Sequence, residues 1–181
     1  MRFPRLSEAQ WTKAQRKVAG EIAAGPRGQL RGPFVPLLHS PELASRIQKL
    51  GEYLRFDSQL PTDLIEIAIL HIARHFECAH IWQSHREQAL KARVPSAVIA
   101  AIAARELPSK LTNDQETVVL FCRDMLAGNK VSPAVFERAK ARFGHKGVMD
   151  LTGVCGYYTM LAMVLNVAEQ PLPEGLVPFA P

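Results

Sequence analysis

Apolar residues recur at steps of three and four along most of the chain, and strict polar/apolar alternation is scarce, so the pattern predicts helices rather than strands. Local signals mark where they begin. Ser7-x-x-Gln10 has the form of a capping box and predicts a first helix running to about Ala24. Residues 25–36, "GPRGQLRGPFVP", hold three glycines and three prolines and read as a loop. Ser40-Pro41-Glu42 opens a helix through residues 42–56, and Pro61 precedes another over residues 62–76. Pro95-Ser96, Thr112-x-x-Gln115 and Ser132-Pro133 start three more, before a last apolar helix near residues 151–168. The expectation is an all-α helical bundle of about seven or eight helices, without a solenoid period. A single domain over residues 1–181 is expected, with an N-terminal helical arm to about residue 36 and a proline-rich tail from about 169 to 181.

Composition narrows the function classes. Hydrophobic residues make up 48% and charged residues 22% of the 181, the chemistry of a folding chain. The net charge of +5 is spread over separate segments with acids close by, and no aromatic-glycine signature accompanies it, so nucleic acid is not expected as a partner. A small carboxylate remains compatible with that charge. Cys78, Cys122 and Cys155 are odd in number and lie in helical patterns, which fits a reduced cytoplasm. The first residues lack a continuous apolar run and a cleavage site. Residues 151–168 are uncharged but carry Thr152, Thr159 and Asn166, and read as a buried or subunit-contact helix rather than a membrane span.

The chemistry concentrates at residues 75–85, "HFECAHIWQSH". If residues 77–92 are helical, Cys78, Trp82 and His85 share one stripe, with Cys78 in the first turn, where a helix N-terminus and an imidazolium favour thiolate. His80 lies on the neighbouring face. Upstream, Glu66 sits in the apolar stripe of residues 62–76 and needs a partner there. A bend near residues 76–78 would bring it to Cys78 and His85. His71 and His75 are spaced as metal ligands often are, but His71 is not followed by the glutamate of an H-E-x-x-H motif, and no metal is expected. Cys122 and Cys155 sit in apolar company and read as core.

These residues resemble the carboxymuconolactone decarboxylase family, which includes the alkylhydroperoxidase D-like proteins. The peroxidase branch has a Glu and, twelve residues later, C-x-H-C-x-x-x-H; Glu66, Cys78, His80 and His85 stand at matching positions, with Ile81 where the second cysteine belongs. Trp82-x-x-His85 is similar to the E-W-x-x-H segment of the decarboxylase branch, again with Ile81 in place of the acid. "GPFVPLLHSPELA", "AIAAREL" and "GVCGYYTMLAMVLNV" extend the resemblance over about residues 5–175. It implies an alkylhydroperoxidase D-like bundle assembled into a homo-oligomer (trimer, hexamer or dimer), with sites near subunit contacts and neither metal nor organic cofactor.

Three functions follow as expectations. The first is acid/base decarboxylation of a small carboxylated lactone or related aromatic-catabolism intermediate, with His85 as proton donor, His80 or Arg74 stabilising the anion, and Glu66 as orienting base. Trp82 and Arg74 would line the substrate site. The second is a thiol peroxidase using Cys78, with Cys122, Cys155 or an external thiol in place of the missing cysteine. The third is a non-catalytic helical oligomer binding a small molecule under Trp82.

Overall fold

The computed structural model describes residues 2–172 and 175–180. It is all-α, and no strand occurs among the described residues. The elements are α1 (Lys13–Ala24), α2 (Phe34–Leu37), α3 (Pro41–Glu52), α4 (Thr62–His75), α5 (Ala79–Lys91), α6 (Ser96–Ala104), α7 (Asn113–Gly128) and α8 (Pro133–Ala168). A short 3₁₀ turn, Glu8–Gln10, precedes α1, and a π-helical turn, Tyr53–Asp57, continues α3.

Helix starts follow local chemistry closely. Thr112 and Gln115 form a reciprocal capping box for α7, while Pro41 and Pro133 occupy first-turn positions where a missing N–H costs nothing. The first helix departs from expectation. Ser7 and Gln10 close only the 3₁₀ turn, which buries no side chain, and the box that starts α1 is Thr12 with Gln15. The expected loop over residues 25–36 ends instead in α2, whose Phe34 and Leu37 are buried. The expected final pair of helices is joined as α8, kinked at Gly144, whose φ of 67° lies in the left-handed region that glycine enters without strain.

At the centre stands α4. From Leu64 to Ala73 every residue but His71 is buried, so the helix is apolar nearly all round, as a helix enclosed by others must be. It packs against α5, α7 and α8, while α1 pairs with α3 outside that group. Within the apolar run Glu66 is the one acid, 2% exposed, and a carboxylate there requires a partner. Among the described residues α8 alone is long and apolar enough to cross a membrane, and 56% of its most apolar window is buried within the fold.

The α4–α5 corner is tight. The Cys78 amide donates to Ala73 O at 2.8 Å, and Glu77 takes a left-handed φ of 51°, so the chain reverses within three residues. The C-terminal tail folds back over α5: Trp82 Nε1 donates to Ala180 O at 3.0 Å, and Phe179 packs edge-on against the Trp82 ring.

Candidate active site

Glu66 and His85 meet at the α4–α5 interface, His85 Nδ1 lying 2.7 Å from Glu66 Oε2 with both side chains nearly closed to solvent. A carboxylate only accepts, so Nδ1 carries the proton in this bond and Nε2 is left as the ring position that can exchange one with the cavity. Tyr158 of α8 stands edge-on to that ring, centroids 5.0 Å apart. Burial pushes the Tyr158 hydroxyl far above the usual tyrosine range, the fields of Arg55 and Arg27 offsetting this only in part, so it is a permanently neutral group.

His85 opens onto a cavity of about 430 Å³ whose other walls are the loop after α1, the π-helical turn and α8. From α5 the lining side chains are His80, Ile81, Ser84, His85 and Gln88, a single face repeating at four-residue steps. Arg27 and Arg31 enter from the loop and Arg55 from the π-helical turn, giving the cavity a strongly cationic rim. Arg27 lies over the Phe34 ring at 4.8 Å and donates from Nη2 to the Tyr157 hydroxyl at 3.0 Å. Its Nε is buried with no hydrogen-bond partner in the protein. An unpaired buried guanidinium N–H is a costly vacancy that an anionic oxygen would fill.

The other expected residues distribute around this centre. His80 lines the cavity and donates from Nε2 to Pro171 O at 2.6 Å, since a carbonyl only accepts. Cys78 caps α5 but does not line the cavity: it is 1% exposed and borders a separate hollow of about 250 Å³, of which His80 is also a wall. Burial raises its thiol pKa, and the Ile81 and His80 amides offset this only partly, so the helix-terminal activation foreseen for a thiolate is outweighed.

Trp82 is fully buried beneath the tail, and Arg74 donates from Nε to Ala103 O at 2.7 Å and stacks on Phe179 at 4.7 Å. Neither lines the cavity beside His85. The arginines that do so, Arg27, Arg31 and Arg55, escaped the reading of sequence because they arrive from irregular segments. Ser84 and Gln88 carried a usable signal: they continue the His80 row at helical spacing.

No protein-family model matches the chain, and no curated protein matches it.

Proposed function

We propose that this chain is an acid/base enzyme acting on a small carboxylated substrate, decarboxylation of a carboxylated lactone being the reaction implied by its resemblance to the carboxymuconolactone decarboxylase family. One observation carries the reading: a Glu66–His85 pair at 2.7 Å opens onto a cavity rimmed by arginines. In this scheme Arg27 and Arg55 take the substrate carboxylates, in the substrate site where the sequence had suggested Arg74. The bond to the departing carboxylate breaks, CO₂ leaves, and its electron pair passes into the lactone carbonyl as an enolate. His85, having taken a proton from solvent on Nε2, then delivers it to carbon and is reprotonated from solvent for the next turnover. Glu66 holds the ring and stabilises its protonated form.

The thiol route draws less support, because Cys78 is buried and borders a hollow other than the one His85 lines, and its thiol is biased toward the protonated form. The other two cysteines lie in the core, Sγ atoms 3.9 Å apart. Homo-oligomer formation belongs to the same proposal, supported by exposed Met149, Met163 and Val167 along α8. The test is turnover of carboxymuconolactone by the purified protein and by His85→Gln. Undiminished turnover in the variant overturns the scheme; tight ligand binding without turnover, surviving loss of both Glu66 and His85, favours a binding protein instead.

A further inference from the structure

We propose that a second cavity, between α4, α6 and α7, binds a small organic anion, with Arg105 and Arg123 taking its oxyanion head and Ile102 and Leu126 its apolar body. The cavity is about 440 Å³ and shares no lining residue with the one beside His85. Its walls gather His71, Arg74 and His75 from α4, Arg105 just past α6, and Arg123 from α7. That is three guanidinium groups and two imidazoles against one lining acid, Glu106.

The protein's own acids compensate this charge only in part, one carboxylate being shared between two of the three guanidinium groups. Glu77 engages Arg105 at 2.7 Å and lies 3.8 Å from Arg74. Asp124, beside Arg123 in sequence, accepts instead from the Ser132 amide at 2.9 Å and hydroxyl at 2.7 Å. Arg123 has no ion-pair partner among the described residues. Two lining residues also carry a nitrogen without a hydrogen bond, the Arg74 one having only the longer ion-pair contact with Glu77. His71 Nε2 and Arg74 Nη1 are buried without a hydrogen-bond partner in the protein, and such groups ordinarily find one. The imidazole of His71, with one nitrogen unbonded, and the unpaired Arg123 guanidinium belong to the same lining, and an oxyanion there would give both a partner.

A metal is disfavoured despite the His71/His75 spacing, because three guanidinium charges repel a cation. Among the described residues no third His, Cys, Asp or Glu joins them as a ligand group. The apolar side selects among anions. Ile102, Leu126 and Ala127 form a wall that inorganic phosphate leaves unused and an aryl or alkyl body covers.

The test is an amide ¹H–¹⁵N titration of the full chain with inorganic phosphate, benzoate and phenyl phosphate in turn, at constant ionic strength. Saturable shifts are expected at residues 71–75, 102–106 and 123–127, with benzoate or phenyl phosphate binding roughly tenfold more tightly than phosphate through the buried ring. Arg105→Gln and Arg123→Gln should each weaken binding about fivefold or more. Arg27→Gln, in the other cavity, should leave these shifts unchanged, which separates failure here from failure of the proposed acid/base function. Shifts absent with all three probes, confined to the cavity beside His85, or undiminished in the Arg105→Gln/Arg123→Gln double variant overturn the proposal.

Discussion

Glu66 Oε2 and His85 Nδ1 lie 2.7 Å apart, joining the central helix to the one that lines the cavity. Glu66 itself is sealed from the cavity, so its contribution passes through the imidazole. Glu66→Gln separates hydrogen bonding from charge. Gln still accepts from Nδ1–H, so the fold should survive with a loss below about 1 kcal/mol, whereas the carboxylate that stabilises imidazolium is gone. Turnover should fall roughly 100- to 10,000-fold with KM little changed, read by steady-state kinetics beside a urea melt.

Arg27 should act on binding rather than on chemistry. Arg27→Lys keeps the charge but loses the planar fork that stacks on Phe34 and reaches Tyr157, so it should resemble Arg27→Ala more than wild type. Both should raise KM for a carboxylated substrate about tenfold or more, with kcat less affected.

Gly51 tests the same contact from behind. A Cβ at this position would stand 2.0 Å from the Tyr157 hydroxyl and 2.3 Å from Arg27 Nη2, inside any allowed separation. Gly51→Ala should therefore cost about 1–3 kcal/mol by overpacking and should also weaken substrate binding by displacing Arg27. Gly20→Ala, whose new Cβ meets nothing, is the control that should do neither.

Cys78 should behave as a shielded thiol. Its raised pKa means less thiolate at any pH near neutrality than a free cysteine carries, so iodoacetamide should react slowly and with a pH midpoint displaced upward. Mass spectrometry after one equivalent of peroxide should find Cys78 unmodified, and Cys78→Ala should retain turnover. A sulfenic acid or mixed disulfide there would restore the thiol reading.

How much of this was legible in the chain depends on how local the determining physics is. Capping is local, so Pro41, Thr112 and Pro133 marked their helices directly. The Ser7 box misled because Thr12 offers the same spacing five residues later, next to the stretch whose Val18, Ala19 and Ile22 bury. Glu66 announced its need of a partner by standing in an apolar run, and His85 lay one corner away. What spacing could not reveal was direction of approach. Cys78 and Trp82 share the His85 stripe in projection, but the corner at Glu77 and the returning tail enclose them on another side. Arg27 and Arg55 reach the cavity through a glycine-rich loop and a π-helical turn, whose paths are set by tertiary packing.

His71 gives the fold a pH signature. Burial, with a smaller contribution from Arg123, lowers its pKa from 6.5 to about 4. The groups facing it are Arg74 and His75 on its own helix, Arg105 and Glu106 past α6, and Arg123 on α7, so the surroundings are mostly cationic. Above pH 6.5 the imidazole is neutral both folded and unfolded, and its contribution to stability is fully present. As pH falls below that value the unfolded chain gains the proton and the folded chain does not, so stability declines down to about pH 4. The loss attributable to His71 is at most about 3 to 4 kcal/mol, since each pKa unit is worth about 1.4. Urea unfolding at pH 7, 5.5 and 4 should show this decline in wild type, and His71→Gln, neutral throughout, should flatten it by about that amount. Equal slopes in the two proteins would mean that the imidazole takes up its proton in the folded state as readily as in the unfolded chain.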